Sequence, residues 1–279
     1  GRFADRRETL SMTAGFQPGT LSFAPARPEG TSVLARLRQA LVTESVGESR
    51  ALVPLGVAPV DDALGGGLGG GLLHEIAAAR EGESAAACGF ALLLATRTSG
   101  PVVWITEDMA LHESGMPYGP GLDELGLPPE RFLMVAAPNF RDVLWAVEEA
   151  LSCRGMGTVI GEIRQASLDL TATRRLSLAA GRHGAVALLL RSAPGRDASA
   201  AATRWIVKTV PSKAAKPRAM THGPGPPRFA LSLVRNRRGP PGSWVLEWNG
   251  VEQRFELVSA HCERMAQAAV DRSSPAASA

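Results

Sequence analysis

The sequence predicts an α/β fold in which a mostly parallel central sheet is flanked by helices and followed by a C-terminal antiparallel hairpin. Short continuous apolar segments, typical of strands buried on both faces, alternate along the chain with segments of helical periodicity. Near the C-terminus, two segments that alternate apolar and polar residues flank a turn rich in glycine and proline, which indicates a hairpin. The chain has 279 residues, of which 45% are hydrophobic and 20% are charged. This composition allows one sizeable core and argues against disorder and against a membrane-embedded chain.

The first and last segments of the chain are predicted to lie outside this core. Residues 1–30 are rich in Gly, Pro, Ser and Thr and predict a flexible leader. We expect a domain over residues 31–257, beginning with a short amphipathic helix at residues 33–42. Residues 258–279 predict a C-terminal helix with a disordered end. We expect the last helix to dock either onto a partner or onto the sheet of its own chain.

The body of the domain contains five predicted buried strands, at residues 72–77, 102–105, 133–135, 158–160 and 185–190. Helical spacing predicts helices around residues 90–95, 140–151 and 170–180, and Asn139 is suited to cap the second of them. The hairpin strands are predicted at residues 229–234 and 244–248. Strands that alternate with helices in this way form parallel sheets, because the helix carries the chain back to the same end.

The three cysteines, Cys88, Cys153 and Cys262, are far apart and form no CxxC pair or Cys/His cluster. They predict neither a disulfide framework nor a metal site, and reduced thiols fit a cytoplasmic protein. The longest apolar run is about half of the ~20 residues that a spanning helix needs. The charged residues from Asp5 to Glu8 break any apolar core of a signal peptide. No association with a membrane is therefore predicted.

The net charge of +3 hides a segregation of charge along the chain. Residues 1–180 contain 15 Lys and Arg against 21 Asp and Glu, residues 181–238 contain 12 against one, and residues 239–279 contain 3 against 5. The lysines are confined to Lys208, Lys213 and Lys216. A mildly acidic body therefore carries one strongly basic segment, and the first 207 residues contain no lysine.

Several segments resemble the RecA family in the order in which that fold uses them. Residues 60–68 and 71–76 resemble the approach to the first core strand, and Glu83-Ser84 stands where the family has a Glu-Ser pair. Residues 104–111 resemble the segment with the family's catalytic carboxylate, which maps to Asp108. Residues 158–162 resemble the second acidic strand, with Glu162 in place of a magnesium-linked Asp. Residues 234–241 resemble the basic turn of several RecA-like proteins, and the whole pattern implies a RecA-like core.

The phosphate-binding loop of that fold is degenerate here. A working loop reads G-x-x-x-x-G-K-[ST], in which backbone N–H groups and a lysine hold phosphates and a hydroxyl binds Mg²⁺. Ala86, Ala87 and Cys88 stand in the Gly, Lys and Ser/Thr places. The remnant comprises Glu83, Ser84, Ala86, Ala87, Cys88 and Gly89. We therefore expect no ATP hydrolysis, no nucleotide cofactor and no catalytic residues, with Asp108 and Glu162 as relics that cap strand ends or form hydrogen bonds.

A RecA-like chain of this size without the loop resembles the ImuA family (inducible mutagenesis protein A), over about residues 55–248. The resemblance implies a non-catalytic partner in SOS-induced, error-prone translesion synthesis, associated with the nucleoid after damage. The implied partners are an ImuB-like inactive homologue of Y-family polymerases and an error-prone polymerase of the DnaE type, with RecA as a further candidate. Two alternatives stay open, a divergent RecA-like DNA-dependent ATPase and a SulA-like inhibitor of cell division.

The basic segment is the candidate site for single-stranded DNA, because flexible basic side chains bind phosphates with little sequence readout. The candidate residues are Lys208, Lys213, Lys216, Arg218, Arg228, Arg235, Arg237 and Arg238. The alternatives are a solvated linker, an acidic protein partner, carboxylates across the sheet or a subunit contact. Tyr118 lies near a position where RecA places an aromatic side chain against adenine, but we interpret it as a packing residue, and His74 as structural. Core or edge packing is also the better interpretation of the tryptophans Trp205, Trp244 and Trp248.

Overall fold

The computed structural model describes residues 51–164, 168–195, 197–212 and 225–258. Its helices are, in chain order, α1 (Ala58–Leu64), α2 (Ser84–Thr96), α3 (Asp108–Ser114), α4 (Gly119–Glu124), α5 (Phe140–Leu151) and α6 (Leu170–His183). Its strands are β1 (Leu52–Val53), β2 (Leu68–Gly69), β3 (Leu73–Ala78), β4 (Val102–Glu107), β5 (Phe132–Ala137), β6 (Thr158–Ile163), β7 (Val186–Arg191), β8 (Thr203–Thr209), β9 (Arg228–Asn236), β10 (Gly242–Asn249) and β11 (Arg254–Leu257). One-turn 3₁₀ helices at Glu81–Glu83 and Pro129–Arg131 precede α2 and β5.

The central sheet is mixed, and its described strands lie in the order β11-β10-β9-β8-β3-β7-β6-β4-β5. The six strands from β8 to β5 are parallel to one another. Strands β9, β10 and β11 extend this sheet antiparallel from the β8 side. The predicted α/β fold, with a mostly parallel sheet and antiparallel strands at its C-terminal end, is confirmed.

Two separate hydrophobic cores lie on the two faces of the sheet. On one face, α2 is apolar on almost every side and packs against β3, β8 and the antiparallel strands. The ring of Phe90 lies at the centre of this core, with its centroid 5.9 Å from those of Trp205 and Phe255 and 6.1 Å from that of Phe229. On the other face, α5 and α6 bury one stripe each against the parallel strands.

Local sequence signals set the ends of these helices. Asn139 caps α5 by accepting from the backbone N–H groups of Arg141 at 3.0 Å and Asp142 at 3.1 Å, as its place in the sequence predicts. Asp169 caps α6 in the same way through the N–H of Ala172, at 2.7 Å. Gly184 ends α6 with a φ of 82°, a left-handed conformation that costs glycine little.

The structure also differs from the sequence predictions in specific places. Helix α2 begins at Ser84, several residues before the predicted helical segment, and strands β8 and β11 were not predicted. Tyr118 is 75% exposed, so its interpretation as a packing residue is wrong. The predicted leader, the helix at residues 33–42 and the tail beyond residue 258 lie outside the described residues.

Candidate functional site

The phosphate-loop segment, residues 80–89, follows β3 directly and turns into α2, as the RecA-like order predicts. The segment turns through Glu81–Glu83, and Arg80 pairs with Glu83 at 2.7 Å. Ala86 and Ala87 lie within the first turns of α2 and are buried in its core. Ala86 and Ala87 stand where a working loop has its Gly and Lys. Their methyl groups have no hydrogen-bond donor or charge that could bind a phosphate.

The Cys88 thiol is half-buried on the same helix. Burial, assisted by the negative Glu162 nearby, raises the pKa of Cys88 to about 12, while Arg164 acts in the opposite direction. The thiol therefore stays neutral at physiological pH. A neutral thiol is a poor nucleophile and a weak metal ligand. No group of three His, Cys, Asp or Glu side chains suited to a metal ion occurs among the described residues.

A small pocket of about 160 Å³ lies next to this segment, at the carboxyl ends of the parallel strands. Glu162 lines it and accepts a hydrogen bond from Trp104 Nε1 at 3.2 Å. Arg164 pairs with Glu162 at 3.3 Å and with Glu113, and it donates to Ser114 Oγ at 2.6 Å. Within the pocket, Glu162 and Arg164 thus already bind each other.

The two carboxylates expected to be relics, Glu162 and Asp108, lie in different places in the structure. Glu162 lies in the pocket and forms the hydrogen bonds that the sequence predicts for it. Asp108 is the exposed first residue of α3 and does not line that pocket. Only one of the two carboxylates therefore belongs to the site.

A second cluster of charges lies at the amino end of β8 and the carboxyl end of β9. The strand register places Glu75 beside Arg204 and Arg204 beside Arg235, so three neighbouring strands bring these side chains into one row. Arg204 Nε donates to Glu75 Oε2 at 2.6 Å, and the side chains are only 15% and 3% exposed. The Ser199 hydroxyl donates to the other oxygen of Glu75. Glu75 thereby has both oxygens satisfied in a buried site.

Three arginines of this cluster hold the backbone of the crossover segment, residues 192–202, which joins β7 to β8. Arg204 donates to the carbonyl oxygens of Gly195 at 3.1 Å and Asp197 at 3.0 Å. Arg235 and Arg237 both donate to the carbonyl oxygen of Ser199, at 2.8 Å and 3.2 Å. Partial burial and the neighbouring positive charge of Arg235 lower the pKa of Arg237. An anion bound at this surface would relieve that repulsion.

The basic turn, Asn236 to Gly239, is fixed to the end of α1. Asn236 Nδ2 donates to the carbonyl oxygen of Ala63 at 2.7 Å, and Asn236 Oδ1 accepts from the N–H of Arg238 at 3.0 Å. A side chain at Gly239 would overlap the Ala63 carbonyl oxygen, so the close approach requires glycine here. Arg237 and Arg238 belong to this turn and are exposed, and Arg237 at the same time donates to the Ser199 carbonyl. The turn therefore presents two guanidinium groups in a fixed place.

The eight basic residues predicted to bind DNA do not form one group. Arg235, Arg237 and Arg238 lie together, whereas Lys208 pairs in register with Ala230, near the opposite end of β9. Arg228 starts β9 and is paired with Glu247 of β10. Lys213, Lys216 and Arg218 lie outside the described residues. Among the described residues, Arg204 of β8 also lies at this basic end, beside Arg235. Sequence reasoning missed Arg204 because apolar residues such as Ala202 and Trp205 surround it in the sequence.

His74 lies buried at the start of β3, close enough to Arg238 to feel its charge. Its Nε2 donates to the carbonyl oxygen of Gly69 at 3.0 Å, so its Nδ1 accepts from the Thr203 hydroxyl at 2.8 Å. Trp205 Nε1 in turn donates to that hydroxyl at 2.9 Å. Burial lowers the pKa of His74 to about 4, with a further lowering from Arg238 against the opposing effect of the Gly69 carbonyl. His74 is therefore a neutral structural residue, in agreement with its sequence interpretation.

Comparisons with known proteins give relatives in both sequence and fold. The chain is 34% identical over 199 residues to Protein ImuA of Caulobacter vibrioides strain NA1000 / CB15N, and to Protein ImuA of strain ATCC 19089 / CIP 103742 / CB 15. Each match covers 66% of this chain and 77% of the relative. No protein-family model matches the chain.

Among solved structures, the RadB recombinase is similar, with a TM-score of 0.50 and 14% identity, over 75% of this chain and all of that one. At this identity the likeness concerns the fold alone, and it confirms the expected RecA-like core. In the part of the chain that the structure describes, no helix is long and apolar enough to cross a membrane.

Proposed function

The chain belongs to the ImuA family, and on this premise we propose that it is a non-catalytic accessory protein of SOS-induced, error-prone translesion DNA synthesis. Its family gives it a role in mutagenesis induced by DNA damage. In the proposed role it works in the cytoplasm, at the nucleoid after damage, as an adaptor between proteins. Its partners are an ImuB-like inactive homologue of Y-family polymerases and an error-prone polymerase of the DnaE type, with RecA as a further candidate.

The packing of the phosphate-loop segment is the main support for a non-catalytic role. Ala86 and Ala87 are buried in the α2 core, and Arg164 is paired within the pocket where a RecA-like protein would hold phosphate. A phosphate held by charged donors gains about 1.5–3 kcal/mol per hydrogen bond. These donors are absent from the Ala86–Ala87 positions, and the only lysines of the chain begin at Lys208. The fold therefore supports a scaffold better than an ATPase.

Direct binding of single-stranded DNA is the second part of the proposal, and the basic turn supports it. Arg237 and Arg238 are exposed on a rigid turn, next to Arg204 and Arg235. Within this cluster Glu75 is already paired with Arg204. The surplus of positive charge suits phosphates without reading bases.

Two measurements test the function. Purified protein is titrated with ATP and Mg²⁺, and damage-induced mutation frequency is measured in a strain that lacks the gene and in the same strain complemented with it. We expect no turnover of ATP and a mutation frequency that complementation restores. Micromolar ATP binding with DNA-dependent turnover would support the divergent ATPase instead. A block of septation on overproduction, without a change in mutation frequency, would support the SulA-like inhibitor.

A further inference from the structure

Strands β8, β9 and β10 have one face that points away from the α2 core. Trp205, Val207 and Leu231 lie in that core, and successive side chains of a strand point to opposite faces. The register shift between Arg204 and Trp205 brings Arg235 to the opposite face as well. We call that face the outer face. Its residues are Arg204, Ile206 and Lys208 of β8, Arg228, Ala230, Ser232 and Arg235 of β9, and Ser243, Val245 and Glu247 of β10.

The outer face is accessible in the part of the chain that the structure describes. Helices α5 and α6 pack on the same side of the sheet, against β3, β4, β6 and β7, whereas the outer-face residues of β8 to β10 are half-buried or exposed. Ser243 Oγ donates to Ser232 Oγ at 3.3 Å, and Arg228 pairs with Glu247, so contacts between strands confirm that these side chains share one face. Together with Ala230, the two serines give the middle of the face a floor of small side chains.

The basic residues of the outer face lie at its two ends. Strands β8 and β9 contain four basic residues and no acidic one. Arg204 and Arg235 are neighbours at the end next to the basic turn, and Lys208 and Arg228 lie at the other end. Arg204 and Lys208 are about 13 Å apart along the strand, so a single small anion cannot contact both ends. A nucleic-acid strand spans this distance with about four nucleotides at helical spacing.

The acidic residues beside these bases neutralise only part of their charge. Glu75 and Glu247 each pair with one of the four bases, Arg204 and Arg228 respectively. The other two, Lys208 and Arg235, form no ion pair with a described residue. The surplus on β8 and β9 is therefore positive, and its two unpaired charges lie at opposite ends of the face.

The other acidic groups lie at the margins of the outer face. Glu252 and Glu256 share Arg254 at the β11 edge, and the carboxylate of Asp197, in the crossover segment, accepts a backbone N–H. Residues 213–224, which join β8 to β9 and lie outside the described residues, contain three basic residues and no acidic one. With the basic turn at one end and this segment joined at the other, positive charge predominates along β8 and β9.

We propose that single-stranded DNA crosses the outer face, with its phosphates running from the basic turn to Lys208. The guanidinium and ammonium groups at the two ends bind phosphates, and the serine hydroxyls supply further donors. Ile206 and Val245 give the bases apolar contacts that do not depend on sequence. This path extends the DNA contact of the proposed function and rests on it.

The lysines of the chain give a direct probe of the outer face, because there are only three and Lys208 is one of them. The full chain is treated with an amine-reactive acylating reagent, with and without an oligonucleotide of about twelve thymidines, three times the length of the face. Mass spectrometry measures the modification of Lys208. With the oligonucleotide at about ten times its Kd, acylation should slow about tenfold, because only the free protein reacts.

Two results of the acylation experiment would overturn the proposal. If Lys208 resists acylation without DNA, another segment of the chain covers the outer face. If a polyglutamate peptide of equal charge protects Lys208 as well as the oligonucleotide does, the face binds an acidic protein segment instead.

A matched pair of variants tests which face of the sheet binds the DNA. Ser243→Glu places a negative charge on the outer face and should weaken binding on the order of tenfold. Thr209→Glu adds the same charge at an exposed position next to Lys208, but on the α2 side, where Thr209 pairs in register with Phe229. It should leave the affinity nearly unchanged at about 0.15 M salt, where screening limits the reach of a charge to about 8 Å. Equal effects of the two variants would refute the path.

Lys208→Ala separates this proposal from the proposed function. It should lower the slope of log affinity against log salt by about 0.7, the value for one phosphate on a single strand. If Arg237→Ala with Arg238→Ala weakens binding while Lys208→Ala and Ser243→Glu do not, DNA is bound at the basic turn alone. The path across the outer face is then wrong and the DNA contact of the proposed function stands. If the wild type binds no oligonucleotide, both fail.

Discussion

Arg204 of β8 donates to Glu75 of β3 at 2.6 Å, and the pair is largely buried between two parallel strands. A buried ion pair of this kind contributes little net stability as a whole, but the loss of one partner leaves the other charge unsatisfied. The same arginine holds two carbonyl oxygens of the crossover segment. The pair therefore connects the sheet to the segment on which Arg235 and Arg237 also converge.

Glu75→Ala should lower the free energy of unfolding by about 3–5 kcal/mol, because it leaves Arg204 buried without its carboxylate. Urea unfolding of the variant and the wild type measures the difference. Glu252→Ala is the control, since Glu252 pairs with Arg254 at 2.7 Å in an exposed place and its loss should change stability little. A Glu75 variant that is as stable as this control would show that the pair is solvated.

DNA affinity should depend on the exposed arginines of the basic turn. Arg237→Ala with Arg238→Ala should weaken binding to single-stranded DNA, and the slope of log affinity against log salt should fall by about 0.7 for each phosphate that the variant no longer neutralises. Arg235 is left intact so that the Ser199 carbonyl keeps its 2.8 Å hydrogen bond when the bond from Arg237 is lost. Titration of a labelled oligonucleotide at several salt concentrations gives both quantities.

Arg154→Ala serves as the control for the DNA experiment, because Arg154 is also exposed but follows α5 on another part of the surface. Binding by the wild type that does not weaken with salt would contradict phosphate contact. So would a double variant with the same slope as Arg154→Ala.

The fold was predictable from the sequence because most of the buried strands are built on continuous apolar segments, such as residues 186–190 of β7. The site was less so, because its contacts join distant residues: Glu75 and Arg204 are 129 positions apart, and their pairing follows from the strand register rather than from a motif. Strand β8 was missed because it mixes polar and apolar residues within the basic segment. The eight basic residues lie in one basic segment of the sequence. In the fold, however, Arg228 and Arg235 lie at opposite ends of β9.

The phosphate-loop segment should resist conversion to a working loop. Ala87→Lys should lower the free energy of unfolding by about 3 kcal/mol, because Ala87 is 1% exposed and a lysine there overpacks the α2 core or buries its charge. Thermal unfolding and ATP titration are measured on the same variant, and no ATP binding is expected. Ala85→Lys, at an exposed position of the same helix, should fold normally. ATP binding by Ala87→Lys would show that the loop is only one substitution from function.

Acid should destabilise the protein through His74. The pKa of His74 is lowered to about 4 in the folded chain, whereas an unfolded histidine titrates near its usual value of about 6.5. Between about pH 6.5 and pH 4, the histidine binds a proton in the unfolded chain but not in the folded chain. The contribution of His74 to the free energy of unfolding is therefore present above this range and is lost as the pH falls through it. The loss from this residue should be about 3 kcal/mol between neutral pH and pH 4.

The physical reason for this sensitivity lies in the hydrogen bonds of His74. Its Nδ1 must accept from the Thr203 hydroxyl, which already accepts from Trp205 Nε1, so a proton on Nδ1 would reverse a bond that the buried network fixes. His74→Gln removes the titration while it can retain polar contacts to the same partners. Unfolding free energies of both proteins, measured from pH 7 to pH 4.5, should converge as the pH falls. Parallel curves would mean that other groups carry the acid dependence and that His74 accepts its proton without cost.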